Sequence, residues 1–412
     1  MQTKLTEAFL KTPQGQEAET ILRTCVHCGF CTATCPTYQL LGDELDGPRG
    51  RIYLMKQLLE GQKVTAKTQG HLDRCLTCRS CETTCPSGVS YGRLIDIGRE
   101  LVEERVQRPA LMRIKRGLLR RILPFPSRFS VLLGMGRAVR PLLPKPLAKK
   151  VPPRQQAMPV ASAPSSTRTM LVLDGCAQSS ATPNTNRAAA NLLGKFGIRL
   201  ISAPEAGCCG AVSQHLAAAE EARVFIRRNI NAWWPYVQQG AEAIVISASG
   251  CGVMVKDYKH LLADDPDYRE KAARISELAK DLSEVVRTLD LSRINIEGLP
   301  KKIAFHSPCT LQHGQQLNGV VEEILTRTGF ELVPVADPHL CCGSAGTYSI
   351  LQPELSRKLL ANKLDSLQAR QPELIATANI GCQLHLGTGA GVPVVHWVEL
   401  LGGEPETSGS ES

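Results

Sequence analysis

CVHCGFCTATCP (residues 25–36) and CLTCRSCETTCP (residues 75–86) share one spacing, Cys-x-x-Cys-x-x-Cys-x-x-x-Cys-Pro. Two-residue spacers let one turn of backbone present three thiolates to one corner of a cubic iron–sulfur cluster. The fourth cysteine is out of reach of that cube and serves a second one. The same turn aims amide N–H groups at the sulfurs, which offsets the cluster's negative charge. The trailing proline turns the chain away. The spacing therefore predicts two 4Fe-4S clusters with crossed ligands. Cys25, Cys28, Cys31 and Cys85 hold the first; Cys75, Cys78, Cys81 and Cys35 hold the second. Four-thiolate zinc also uses Cys-x-x-Cys pairs, but four cysteines per run followed by proline favour iron. His27, Arg74 and Arg79 flank the runs and are candidates to tune the clusters, with surface or helix pairing the blander account of each. Forty positions separate Cys35 from Cys75, and the segment RIYLMKQLLE (51–60) has helical apolar spacing, as does Leu94–Val106. Residues 1–104 thus read as a helical ferredoxin-type domain, with Asp46–Gly50 as a loop.

The other eight of the 16 cysteines form an internal repeat. Cys176 precedes Cys208-Cys209-Gly210 by 32 positions, and Cys309 precedes Cys341-Cys342-Gly343 by the same 32; Cys251 and Cys382 follow. Around each set, strands alternate with helices. The strands fall at Met170–Leu173, Arg199–Ser202 and Ala243–Ile246, then at Ile303–Phe305, Glu331–Val335, Leu374–Thr377 and Val392–Val395. Such alternation predicts two parallel α/β units, residues 169–291 and 300–401, with right-handed crossovers. Binding sites of such units gather beyond the C-terminal ends of the strands, which is where the cysteines fall. Cys176, Cys208, Cys209 and Cys251 should therefore converge, and so should Cys309, Cys341, Cys342 and Cys382. These sets are candidates for a third metal or iron–sulfur site; zinc, a further cluster and a redox dithiol are all open, and buried apolar thiols are the bland alternative. Adjacent glycines would admit a compact inorganic group. His306, His313 and His339 lie near by in sequence. The fold class is thus α+β and multi-domain.

The net charge of +9 is unevenly placed: residues 105–154 carry 14 Lys/Arg, and no Asp or Glu occurs from 105 to 170. Residues 105–168 read as a basic, proline-rich linker. RIKRGLLRRIL forms an amphipathic helix, and RPLLPKPLAKKVPPR and PVASAPSS are extended. This surface suits either an acidic partner subunit or the anionic face of a membrane. Sparse aromatics argue against nucleic acid. No secretory signal and no apolar run of about 20 residues are visible, so a cytoplasmic protein is expected, peripheral at most on the inner membrane. Residues 402–412 read as a disordered tail.

The motifs CVHCGFCTATCPTYQLLGDELDGPRGRIYLMKQ, HLDRCLTC, EAGCCGA, SGCG, HLCCGSAGTY and TANIGCQ resemble the iron–sulfur subunits of bacterial glycolate oxidase (glycolate dehydrogenase). The likeness runs from about residue 20 to about 400. It is shared less tightly with iron–sulfur subunits of lactate-utilisation and glycerol-3-phosphate dehydrogenase systems and with heterodisulfide reductase, whose repeated part is called the CCG or cysteine-rich domain. The resemblance implies a subunit that accepts electrons from FAD-containing flavoprotein partners oxidising glycolate to glyoxylate, and passes them toward a quinone or other acceptor. No catalytic residue is expected on this chain, because no strand–GxGxxG–helix fingerprint appears and Gly387–Gly391 reads as a loop. In heterodisulfide reductase each copy ends in Cys-x-x-Cys. Here Met254 and His385 stand at the last position, which weakens the case for a thiol–disulfide enzyme.

Overall fold

The computed structural model describes residues 1–160 and 168–403. The expected disordered tail lies outside them from residue 404 on, as does 161–167 of the connector.

Four helices frame the N-terminal domain. Helix α1 (Pro13–Thr24) begins with proline at its first position, and the Thr12 hydroxyl accepts from the Gly15 amide. Helix α2 (Pro48–Leu59) also starts on proline. The loop expected at residues 46–50 is therefore shorter: Glu44–Asp46 is a 3-10 turn and Pro48 already belongs to the helix, where its missing N–H costs nothing. Helices α3 (Ala66–Asp73) and α4 (Tyr91–Arg105) complete the frame. Leu22, Met55, Leu58, Leu72, Leu94 and Ile95 pack between them.

The connector is more helical than its prolines suggest. Helix α5 (Ala110–Ile122) is the expected amphipathic one, but α6 (Pro126–Val139), a 3-10 turn (Arg140–Leu142) and a helical turn (Lys145–Ala148) follow it. Pro126, Pro141 and Pro146 sit in the first turns of these elements, where they are tolerated. Residues 151–160 have no regular structure.

The repeats form two four-stranded parallel sheets of identical order. The first contains β1 (Arg168–Val172), α7 (Asn184–Gly194), β2 (Ile198–Ser202), α8 (Ala219–Gln238), β3 (Ile244–Ile246), α9 (Ser249–Lys256), α10 (Arg269–Leu278) and β4 (Ala279–Asp281), in the strand order β2-β1-β3-β4. The second contains β5 (Lys302–His306), α11 (Val320–Arg327), β6 (Glu331–Leu332), α12 (Pro353–Gln368), β7 (Leu374–Thr377), α13 (Ile380–Gly387) and β8 (Val394–His396), in the order β6-β5-β7-β8. Strand β4 was not expected. Its sequence, Ala-Lys-Asp, has low strand propensity, and pairing to β3 places it. Strand β6 is two residues instead of five.

Strand alternation splits the core in two. Met170 and Val245 of the first sheet and Ile303, Phe305, Leu374 and Ala376 of the second share one cluster with Leu192, Ile324 and Trp397. The intervening residues face the other way: Leu171, Ile244 and Ile246 pack with Trp233, and Ala304 and Ile375 with Leu386. Side chains at i and i+2 share a face, so each sheet is covered by helices on both faces, and on one of them the helices, α7 and Leu282–Val286 of the first repeat and α11 and Glu399–Gly402 of the second, meet those of the sister repeat.

Candidate metal centres

The two N-terminal cysteine runs bracket two hollows. The first is lined by Cys25, Cys28, Cys31, Cys81 and Cys85, with His27 and Arg49. The second is lined by Cys35, Cys75, Cys78 and Cys81, with Arg51, Arg79 and Tyr91. Cys85 of the second run thus faces the first hollow, and Cys35 of the first run faces the second. Cys81 and Pro48 border both.

Left-handed residues shape the loops. His27 (φ 57°) and Gly29 (φ 88°) flank Cys28, and Thr77 (φ 53°) and Arg79 (φ 60°) flank Cys78. Such turns direct successive amides inward and form an anion-binding concavity. The Thr77 amide donates to Cys75 Sγ at 3.3 Å, and Tyr91 Oη lies 3.6 Å from the same sulfur. Burial first, then the neighbouring Cys25 and Cys85 thiols, pushes the Cys31 thiol up to about 11. Burial and Cys78 raise Cys81 well above its usual range. Thiols crowded this way stay protonated alone and give up those protons to a cation. The donor set, the crossed geometry and the inward amides fit a 4Fe-4S pair.

Arg51, at the second hollow, is a candidate functional residue that sequence reasoning missed. It is 1% exposed. Its Nε donates to the His71 carbonyl at 2.7 Å, its two terminal nitrogens reach Thr37 Oγ1 at 3.2 Å, and Asp46 lies 3.5 Å away. Burial works against its charge, but Tyr91, Cys75, Cys35 and Asp46 raise its pKa overall. A buried cation beside these sulfurs favours electron acceptance at the second hollow. The available signal was an arginine on the same helix face as Met55, Leu58 and Leu59. Arg74 pairs with Asp46 at 2.8 Å and so braces Arg51's partner.

The thiols of each repeat also converge. In the first, Cys176, Cys208, Cys209 and Cys251 form a chain of sulfur contacts in that order. In the second, Cys309 meets Cys341 at 3.9 Å, Cys341 meets Cys342, and Cys342 meets Cys382. Cys251 and Cys382 sit in the first turns of α9 and α13. Amides of Gly210 (φ 94°) and Gly343 (φ 87°) donate to Cys208 and Cys341 at 3.4 Å each. Gly250 and Gly252 serve a different purpose from the one expected. A Cβ there would meet Asn379 Nδ2 at 3.1 Å and Gln315 Nε2 at 2.6 Å, so these glycines admit the second repeat, not an inorganic group.

The second hollow abuts the second repeat. Leu76 and Cys78 pack with Cys309, Cys341, Tyr348 and Leu359, and Cys309 is the thiol that most raises Cys78 after burial. Arg79 pairs with Asp257 at 2.8 Å. His313 Nδ1 lies 2.8 Å from Thr83 Oγ1, and its Nε2 lies 3.1 Å from the His339 carbonyl. The second hollow is thereby locked onto both repeats. His306 lies deep in the second repeat. Burial and then Lys363 lower its pKa to about 3, so it is neutral.

Residues 21–89 match the 4Fe-4S dicluster domain family, and 170–256 and 303–387 each match the cysteine-rich domain family. The chain is 54% identical over 401 residues to the glycolate oxidase iron-sulfur subunit of Escherichia coli (strain K12), covering 97% of this chain and 98% of that one. It is 30% identical to the probable glycolate oxidase iron-sulfur subunit of Bacillus subtilis (strain 168), covering 96% and 98%. Similarity to lactate utilization protein A of an Exiguobacterium species is 27% over 55% of this chain and 94% of that protein.

Proposed function

This chain belongs to the glycolate oxidase iron–sulfur subunit family, and from that premise we propose that it carries electrons from flavoprotein partners to a membrane quinone. Oxidation of glycolate to glyoxylate releases two electrons and two protons to the flavin. The iron–sulfur clusters, when bound, take electrons one at a time. The chain's own residues position and tune that relay. Cys25, Cys28, Cys31 and Cys85 would hold one cluster, and Cys75, Cys78, Cys81 and Cys35 the other. The crossing of Cys35 and Cys85 between adjoining hollows carries this reading, because it would hold two clusters side by side. Inward amides and Arg51 offset the charge that reduction adds.

The rival, thiol–disulfide turnover, needs a thiolate nucleophile. Contact with Cys176 lowers Cys208 but contact with Cys209 and burial outweigh it, and the thiol ends well above the usual range; Cys309 and Cys341 are raised likewise. Metal binding suits such thiols better than attack on a disulfide.

Among the described residues no helix is long and apolar enough to cross a membrane. The reading gives α5 and α6 the contact with an anionic cytoplasmic leaflet. Leu111, Ile114 and Leu118 on α5 and Val131, Leu132, Met135 and Val139 on α6 are exposed, and at their spacing each group shares one helix face. Arg113, Arg121, Lys149 and Lys150 have no acidic partner among the described residues. Apolar residues inserted among basic ones are the chemistry of an interfacial helix.

The test is reconstitution. The isolated chain, purified without oxygen, should be brown and inactive on glycolate, and should restore quinone-linked oxidation when the flavoprotein subunits are added. Glycolate oxidation by the isolated chain would refute this division of labour.

A further inference from the structure

We propose that His306, Cys342 and Cys382 bind a single zinc-class divalent ion, one per chain, in the second repeat only. The inference rests on the reading that the repeat thiols serve metals and not thiol turnover. The Nδ1/Nε2 and Sγ donors of these three buried residues lie within 4.8 Å of one another. Each ligand of a cube sits on its own iron, whereas donors this close suit one ion, at about 2.3 Å from each sulfur and about 2.0 Å from nitrogen.

The histidine is prepared as a ligand. His306 ends β5 and is 2% exposed. Thr377 Oγ1 donates to the His306 carbonyl at 3.1 Å. A hydroxyl has one proton, so the same oxygen, 3.0 Å from Nδ1, must accept from Nδ1–H. That fixes the tautomer and leaves Nε2 with a lone pair. Nε2 has no hydrogen-bond partner among the described residues. A buried acceptor left unpaired costs stability unless something fills it, and metal-binding histidines donate their other N–H in just this fashion. Two sulfurs and one imidazole select zinc over magnesium or calcium. Cys341 touches Cys342 and is a further thiol beside the trio.

The first repeat lacks the device. Leu173, like His306, precedes its copy's first cysteine by three positions and packs in an apolar core. His385 does not substitute, since its Nε2 is taken by Ser356 Oγ at 3.1 Å.

The test uses the full chain purified anaerobically with its flavoprotein partners. Zinc, iron and sulfide are counted, and Co²⁺ exchanged into the zinc site is read by its visible d–d and thiolate charge-transfer bands. One zinc per chain is expected beyond the cluster iron. His306→Gln should lower affinity for the ion at least about tenfold and shift the cobalt bands. Thr377→Val, which frees Nδ1 without touching a ligand, should weaken binding about 10- to 100-fold. Absence of zinc above background, or stoichiometry and cobalt spectra indifferent to both variants, would overturn the proposal. So would extra iron and sulfide that His306→Gln leaves in place, the mark of a cysteine-only cluster. Paramagnetic resonance of the N-terminal clusters serves as the separate reading: their loss in the wild type defeats electron transfer, while their presence without zinc defeats only this site.

Discussion

Replacing Arg51 by methionine should lower the reduction potential of one cluster while leaving the other alone. The side chain is 1% exposed and lines the hollow of Cys35 and Cys75. With the separation taken as about 6 Å from a cluster held in that hollow, at an effective permittivity of about 20, the charge would be worth about 3 kcal/mol. For one electron that is about 120 mV, downward, because a lost cation makes electron addition harder. Stability falls too, since Asp46 loses a buried partner. Such losses cost about 3–5 kcal/mol, and Asp46 keeps Arg74 at 2.8 Å and His71 at 2.9 Å, which puts this one at the lower end. The assay is an anaerobic redox titration followed by paramagnetic resonance, alongside Arg51→Lys, which retains charge and should shift by less than about 40 mV. A methionine variant with both resonances intact and both potentials within about 20 mV of wild type would refute the electrostatic argument.

Cys85→Ser should remove the same resonance as Cys28→Ser, and Cys35→Ser the same one as Cys78→Ser; pairing of Cys85 with Cys78 instead would disprove the crossed ligand sets. Leu132→Asp with Met135→Asp should weaken co-sedimentation with anionic vesicles. Raising salt from about 0.1 to 1 M should do the same by shortening the screening length from about 10 to about 3 Å. Equal binding to neutral vesicles would exclude the charge component. Burial raises Asp281 to about 6 despite its bonds to Ser283 and Gln315. The folded state then holds this proton more tightly than the unfolded one between about pH 4 and 6, so the group's contribution declines as pH rises through that window. Asp281→Asn should flatten that part of a stability-against-pH profile by up to about 3 kcal/mol, measured by denaturant unfolding; an unchanged slope would contradict it.

The cysteine spacing exposed most of the architecture in advance. Two runs of four announced a two-site domain, and a 32-residue interval repeated twice announced paired sheets, because metal ligands and strand ends tolerate little drift. What escaped has physical reasons. Strand β4 is three residues with no apolar signature and exists through pairing to β3. Residues 140–148 looked extended because proline was read as a breaker, whereas Pro141 and Pro146 sit in the first turns of short helical elements; residues 151–160 do lack regular structure. Arg51 escaped because a charge on an apolar helix face gains meaning only when its buried partners, Thr37 and Asp46, are brought to it from elsewhere in the chain. His306 was visible as a residue near Cys309, but its unpaired nitrogen depends on Thr377, 71 positions away.

The core shared by the two sheets has a developmental consequence. One apolar cluster runs from Met170 and Val245 through α7, Leu282–Val286 and α11 to Ile303, Phe305 and Leu374, so a nascent chain that has emerged only through the first repeat presents the outer side of that helix layer to solvent as an apolar wall. It must wait for roughly another hundred residues, several seconds of translation at about 5–20 residues per second, before that wall is covered.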